Sequence, residues 1–155
     1  MKKSISNLYF LPLLFTSTNL FAQNEAFVKR TVASGFNSVW EMAYGPNDSL
    51  WVTENKAYTI SRVDIASGDK TELIDLRATD AAINFTSGSG IQPQGGLMGL
   101  AIHPNLYSAD AAVRAAKPWV YAAYVYNRGS CPGTNTSCIF TTKIVRFDYV
   151  GNSLT

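Results

Sequence analysis

The sequence predicts an all-β fold made of antiparallel blades, each a four-stranded up-and-down sheet of the kind that builds a β-propeller. Short runs rich in β-branched and aromatic residues recur along the chain, with turn signals at intervals of roughly 8–12 residues. No stretch shows the helical periodicity of a long amphipathic helix. Hydrophobic residues make up 46% of the chain and charged residues 15%, a composition typical of globular rather than disordered proteins.

The first half of the chain contains the strands of a first blade. Residues 26–33 alternate weakly and are predicted as an initial strand. Four better-defined strands follow at residues 39–44, 50–54, 58–64 and 70–76. Turn signals such as Gly45-Pro46-Asn47-Asp48-Ser49 separate them. Four short strands at this spacing predict one antiparallel sheet.

A long connection, residues 77–96, leads into the stretch 92–104 (QPQGGLMGLAIHP). Such long loops inside compact domains are commonly functional or disordered. The glycines at 95, 96 and 99 permit positive φ and close approach of the backbone. The side chain of Gln94, at the mouth of a buried strand, would offer a ligand one amide donor and one acceptor. A tight turn that only feeds a core strand is the alternative.

The second half of the chain predicts another blade. Its strands are residues 97–102, 119–126 and 139–149, and residues 105–116 form either a short helix or a loop. Gly151-Asn152-Ser153 begins a further turn.

The first 22 residues are predicted to be a secretory signal peptide that is cleaved near Ala22. Lys2 and Lys3 form a positive segment, residues 8–15 an apolar segment, and Ala22 supplies a small residue at the cleavage site. The apolar run is too short to span a bilayer. The mature chain is therefore expected in a bacterial periplasm or outside the cell.

Removal of the signal peptide changes the charge of the chain. The formal charge of +2 comes from 13 basic and 11 acidic residues, and the signal peptide holds two lysines and no acid. The mature chain is thus formally neutral, whereas nucleic acids and anionic membranes call for a basic surplus. Neither is expected as a partner, and a small neutral ligand fits better.

Cys131 and Cys138 flank the turn-rich segment 132–137. In an exported protein such a pair predicts a disulfide that closes a short loop, and two free thiols are the alternative. Two thiols without a neighbouring His or a second pair make a poor zinc site.

These segments, in this order, resemble the soluble PQQ-dependent glucose/sorbosone dehydrogenase family, whose fold is a six-bladed β-propeller. The matching segments are 40–46 (WEMAYGP), 50–54 (LWVTE), 60–63 (ISRV), 94–104 (QGGLMGLAIHP), 119–121 (WVY) and 143–147 (KIVRF). The resemblance implies an oxidoreductase that oxidises aldose sugars at the anomeric carbon. Its cofactor would be pyrroloquinoline quinone (PQQ), held with calcium in the central cavity.

The resemblance also implies roles for particular residues. Gln94 matches the family glutamine that lines the cofactor and substrate cavity. His103 matches a structural histidine rather than the catalytic base, and Glu54 is expected to be solvated or paired. The aromatic residues are expected in the core between blades rather than in a sugar-stacking platform. They are Trp40, Trp51, Trp119, Tyr121 and Tyr124.

The length of the chain departs from the family pattern. At roughly 40–50 residues per blade, residues 23–155 supply about two to three blades of an incomplete propeller. The family's catalytic histidine, its basic cofactor-binding residues and its calcium ligands would all lie beyond Thr155. Open blades also expose apolar sheet edges, so self-association through these edges is expected.

The favoured hypothesis is therefore the N-terminal part of a periplasmic PQQ-dependent sugar dehydrogenase, inactive on its own. The alternative is a non-catalytic propeller module that binds another chain, which completes its ring. A propeller hydrolase of the lactonase type would need a carboxylate-rich metal site, which the few scattered acids do not suggest.

Overall fold

The computed structural model describes residues 27–83, 95–128 and 139–155. The chain divides into two compact units, Met1–Arg30 and Thr31–Thr155. Residues 27–30 of the first unit are described, and they have no regular secondary structure. In the parts of the chain that the structure describes, no helix is long and apolar enough to cross a membrane. The predicted signal peptide, Cys131 and Cys138 lie outside the described residues.

The first sheet contains four antiparallel strands in the order β1-β2-β3-β4. They are β1 (Val39–Gly45), β2 (Ser49–Glu54), β3 (Thr59–Asp64) and β4 (Lys70–Asp75). The turn between β1 and β2 places Asn47 and Asp48 at φ 59° and 53°, a left-handed conformation that short polar side chains tolerate. The helix α1 (Leu76–Thr79) and a 3-10 turn (Ala81–Ile83) follow β4.

The second sheet also contains four antiparallel strands, in the order β5-β6-β7-β8. They are β5 (Leu97–Ile102), β6 (Trp119–Asn127), β7 (Phe140–Val150) and the short β8 (Ser153–Leu154). Between β5 and β6 lie a 3-10 turn (Pro104–Tyr107) and the helix α2 (Ala111–Ala116). Asp110 caps α2, because its Oδ1 accepts a hydrogen bond from the backbone N–H of Ala112 at 2.8 Å.

The all-β class and the seven strands predicted for the two blades are confirmed, and β8 adds an eighth strand. The predicted initial strand at residues 26–33 is wrong, since residues 27–36 have no regular secondary structure. Val32, Ala33 and Phe36 line a groove over the apolar side chains of the first sheet.

The hydrophobic core lies between the two sheets. Trp51, Ile60 and Leu76 from the first half of the chain pack with Val120 and Tyr124 from the second sheet, all at most 3% exposed. Burial of each large apolar side chain contributes about 1.5–3 kcal/mol relative to its exposure. The hydrophobic core therefore holds the two sheets together, packed face to face.

The strand registers show that the two sheets repeat one pattern. In the first sheet Ala43 pairs with Trp51, which pairs with Arg62. In the second sheet Ala101 pairs with Tyr121, which pairs with Arg146. When the two sheets are aligned on these paired positions, further residues of the first and second sheet occupy equivalent places. They are Pro46 and Pro104, Asn47 and Asn105, Ile60 and Ile144, and Asp64 and Asp148.

Candidate functional site

The predicted glycine turn lies where the end of β2 meets the start of β5. Gly96 has a φ of 65°, and a Cβ at this position would lie 2.2 Å from the backbone oxygen of Asn55. The N–H of Leu97 donates to that same oxygen at 3.2 Å. Only glycine combines this left-handed conformation with such a close approach to another backbone segment.

Contacts from both sheets hold the glycine turn in place. The Thr53 hydroxyl donates to the Met98 backbone oxygen at 3.2 Å. The N–H of Val125 donates to the Gly96 oxygen at 2.9 Å. The turn is thus anchored to β2 and β6 at once.

Gln94 directly precedes Gly95 in the sequence but lies outside the described residues. Its contact with a cofactor or substrate therefore stays a prediction.

The predicted core position of the aromatic residues is correct for Trp51 and Tyr124, which are buried between the sheets. It is wrong for Trp40, which is 60% exposed. The register of β1 shifts between Val39 and Met42, and β1 is an edge strand of its sheet. Trp119 and Tyr121 are half-buried, and neither belongs to the buried cluster between the sheets.

Glu54 is a buried, paired carboxylate. Its oxygens accept hydrogen bonds from the Asn37 N–H at 2.7 Å, the Ser61 hydroxyl at 3.2 Å and the Lys70 ammonium at 2.6 Å. Burial alone would raise the pKa of Glu54, but the hydrogen bonds from Asn37 and Lys70 outweigh it and lower the pKa. These partners give Glu54 a structural role, in accord with the predicted pairing.

His103 caps the 3-10 turn that follows β5. Its Nδ1 accepts a hydrogen bond from the Asn105 N–H at 3.1 Å. Its ring packs edge-on against Trp119, with ring centroids 5.4 Å apart. The predicted structural role of His103 is confirmed.

A polar cluster that the sequence did not reveal joins the connector after β4 to the second sheet. Asp80 Oδ2 accepts a hydrogen bond from the Tyr124 hydroxyl at 3.0 Å and forms an ion pair with Lys143. The Lys143 ammonium also lies 4.6 Å from the centre of the Tyr126 ring. These residues are far apart in sequence and form no motif, so only the fold brings them together.

The contacts within this cluster determine the protonation state of each of its side chains. Burial would raise the pKa of Asp80, but hydrogen bonds from Lys143 and Tyr124 outweigh it, so that its pKa is lowered. Burial, and then the bond to Asp80, raise the pKa of Tyr124. The cluster is therefore a carboxylate, an ammonium and a neutral phenol at neutral pH, which is a stable set of hydrogen-bond partners rather than an acid and a base poised for catalysis.

The described residues do not complete a site for PQQ or calcium. Within residues 27–83, 95–128 and 139–155, no three His, Cys, Asp or Glu side chains come together as metal ligands. Lys70 and Lys143 are engaged by Glu54 and Asp80. Each of these lysines is thus already paired with a carboxylate of this chain.

No family model matches the sequence. Quinoprotein glucose dehydrogenase B from Acinetobacter calcoaceticus is 30% identical over 84 residues, which are 54% of this chain and 16% of that protein.

The solved structure of the PQQ-bound form of aldose sugar dehydrogenase from Streptomyces coelicolor has the same fold over 83% of this chain. The TM-score is 0.53, the sequence identity 32%, and the match covers 31% of that chain. The chain therefore spans about a sixth of the curated relative and about a third of the solved structure. The two sheets correspond to two blades of an incomplete β-propeller, and the predicted fold class is confirmed.

Proposed function

We infer that this chain is the N-terminal part of a sugar dehydrogenase, because it is related in sequence and fold to the soluble PQQ-dependent sugar dehydrogenases. The reaction we propose for the whole protein is oxidation of an aldose at its anomeric carbon, with PQQ as the electron acceptor. The single observation that carries this proposal is the 32% identity to a PQQ-bound aldose sugar dehydrogenase across 83% of this chain.

The geometry of the glycine turn supports a role for this chain in the binding cavity. Gly96 is locked against Asn55, and the turn is bonded to both sheets. A rigid anchor of this kind is suited to present the preceding side chain, Gln94, to a ligand with little loss of conformational entropy. We assign Gln94 to hydrogen bonding of a quinone oxygen or a sugar hydroxyl.

The chain by itself is proposed to lack activity. Among its described residues, no three potential metal ligands come together, and Lys70 and Lys143 are paired with Glu54 and Asp80. Residues 1–22 would direct export to the periplasm, and residues 23–155 would form blades of the catalytic propeller, with calcium and the catalytic base supplied by other parts of the protein.

The proposal is tested by dye reduction with aldoses, using the native exported protein that carries this sequence. Activity should require added PQQ and calcium in the apo form. An aldose oxidation that proceeds fully without PQQ, or none with any aldose when PQQ and calcium are present, would contradict it. The intact mass of the same protein shows whether residues 23–155 are all of it or whether further blades belong to it.

The role of Gln94 is tested in the same protein with a neighbouring glutamine as control. Gln94→Ala should weaken the apparent affinity for PQQ or for the sugar about tenfold or more, as expected for loss of a buried hydrogen bond. Gln92→Ala should leave both affinities unchanged. Equal behaviour of the two variants would remove Gln94 from the site.

A further inference from the structure

A cleft lies between the two sheets at the end opposite the glycine turn. The turn from β1 to β2 forms one wall, with Pro46. The connection from β5 to β6 forms the second wall, with Leu106, Arg114 and Pro118. The end of β7 forms the third, with Tyr149. We call this space the Arg114 cleft, and its volume is about 260 Å³.

Contacts within the described chain hold the walls of the Arg114 cleft in place. Leu106 is 4% exposed and belongs to the core between the sheets. The Tyr149 ring packs edge-on against Trp51 of the first sheet, with ring centroids 5.0 Å apart. The Tyr107 hydroxyl donates to the Tyr44 backbone oxygen at 2.6 Å. The cleft is therefore shaped by the contact between two sheets that the chain already contains, and its walls need no further blade.

Arg114 brings a positive charge to this cleft. Its Nη1 donates to the backbone oxygens of Ser108 and Ala109 at 2.7 and 2.8 Å, which orients the planar guanidinium. Asp110, the nearest acidic residue in the sequence, uses its Oδ1 to cap α2. The ion pairs among the described residues join Glu54 to Lys70 and Asp80 to Lys143. Arg114 is thus paired with no carboxylate in the part of the chain that the structure describes.

The hydrogen bonds of Arg114 leave one edge of its guanidinium open. Both bonds to backbone oxygens start from Nη1, so the N–H groups on Nε and Nη2 remain. Within residues 27–83, 95–128 and 139–155 these groups donate no hydrogen bond. They point in parallel, which is the geometry that binds both oxygens of one carboxylate.

The other walls of the cleft determine which kind of carboxylate fits. Pro46, Leu106 and Pro118 present apolar surface, and Tyr149 adds an aromatic ring. Aromatic rings favour offset or edge-on packing against one another. A cavity of about 150 Å³ already accommodates benzene, so the cleft has room for one aromatic ring together with a carboxylate.

We propose that the Arg114 cleft binds a small aromatic carboxylate. The carboxylate accepts hydrogen bonds from Nε and Nη2 of Arg114, and the ring packs against Leu106, Pro118 and Tyr149. Apolar walls lower the local dielectric, which strengthens these charged hydrogen bonds. The site lies at the other end of the sheets from the glycine turn, so it is separate from the cavity assigned to the sugar and PQQ.

The test measures benzoate binding to the native protein that carries this sequence, by isothermal titration calorimetry without sugar or PQQ. Benzoate should bind with a Kd of about 1 mM or tighter, as expected for a ligand of this size with one bidentate charged contact. Benzamide has the same ring but no charge, and it should bind at least about tenfold more weakly.

Three variants locate the site. Arg114→Gln removes the charge, and Ala115→Phe fills the cleft without changing Arg114. Each should weaken benzoate binding about tenfold or more. Arg77→Gln is the matched control, because the Arg77 Nη2 also donates to a backbone oxygen, that of Lys56 at 2.6 Å, outside the cleft. It should bind benzoate like the wild type, and near-UV circular dichroism checks that each variant keeps its packed core.

Three results would overturn the proposal. The first is a wild-type protein that binds no benzoate at about 10 mM. The second is benzoate binding that either Arg114→Gln or Ala115→Phe leaves unchanged, which would place the ligand elsewhere. The third is benzamide binding as tight as that of benzoate. The measurement involves neither sugar nor PQQ, so its outcome is independent of the proposed dehydrogenase function.

Discussion

Gly96 shows how one residue sets the junction between the two sheets. Its Cβ position is filled by the Asn55 backbone oxygen, whereas Gly151 has a similar φ of 62° and no atom within 4 Å. Both Gly→Ala variants should lose about 1–2 kcal/mol for the left-handed conformation. Gly96→Ala should lose roughly 1–3 kcal/mol more, because a backbone segment must move.

The measurement for this pair is the free energy of unfolding in urea. Equal destabilisation of the two variants would mean that Asn55 does not approach Gly96 closely in solution.

Because of Tyr58, we expect the free energy of unfolding to decrease at alkaline pH. Burial raises its pKa from 10.0 to about 12, and its hydroxyl donates to the Val125 oxygen across the sheet contact at 3.1 Å. Since the unfolded state ionises first, the stabilisation is complete below pH 10 and is lost as the pH rises from 10 to about 12.

Tyr58→Phe should make this alkaline decline shallower, since Tyr124, whose pKa is also raised, still contributes to it. The substitution should cost about 1 kcal/mol at neutral pH. Tyr121→Phe, on β6, serves as the control and should keep the alkaline decline. The profile comes from urea unfolding at a series of pH values, and an unchanged decline in Tyr58→Phe would contradict this assignment.

Among single residues, the sequence predicts the role of those whose contacts lie close to them in the chain. The cap formed by His103 depends on Asn105, its neighbour in sequence, so the pattern could be recognised. The glycines likewise predict the positive φ of Gly95 and Gly96, whereas the approach of Gly96 to Asn55 depends on the fold. The ion pairs of Glu54 with Lys70 and of Asp80 with Lys143 depend on strand order and on contact between the sheets. The exposure of Trp40 depends on its edge strand and on a register shift, which no residue pattern specifies.

Among the elements, the connector after β4 is attached to the second sheet by a charged contact. Asp80 ends α1 and binds Lys143 of β7 and Tyr124 of β6. Lys143→Met should lower the free energy of unfolding by about 1.5–3 kcal/mol, as expected for a hydrogen bond to a charged group. Amide hydrogen exchange should increase from Leu76 to Ile83 because the connector loses this attachment.

Two controls accompany this prediction. Lys117→Met removes a lysine that lies over the Trp119 ring, and it should leave exchange in the connector unchanged. In Asp80→Asn, the effect of Lys143→Met should shrink. Because the pKa of Asp80 is lowered from 3.8, this stabilisation should be complete above about pH 4 and lost as the pH falls further. Additive effects of the two substitutions would contradict the contact.

A strand could be predicted from the sequence where clear turn signals bound it and where it pairs with the next strand along the chain. Residues 27–36 have comparable composition, but the described structure pairs them with no strand. Val32, Ala33 and Phe36 line a groove on the first sheet instead. The two-residue β8 lies just after a turn. It is too short to produce a pattern of its own, and only pairing with β7 defines it.

The two sheets should unfold together because the core lies between them. Trp51 is fully buried in this contact, whereas Trp40 is exposed on β1. Trp51→Ala should lower the free energy of unfolding by about 3–5 kcal/mol. Trp40→Ala should change it by no more than about 0.5 kcal/mol, as is usual for surface positions.

Far-UV and near-UV circular dichroism should report one coincident transition for the wild type and for both tryptophan variants. Separate transitions for the two probes would show that the sheets fold independently and that the core between them contributes little.

The repeated registers also reveal where this architecture accepts extra chain. Between β1 and β2 the first sheet uses a three-residue turn that begins Pro46-Asn47, and the equivalent connection in the second sheet contains Pro104-Asn105 after His103. There, however, a 3-10 turn and α2 are accommodated before β6, with the strand pairing intact. One end of a blade can therefore lengthen while its strand pairing is kept, and the added chain supplies Leu106 to the hydrophobic core.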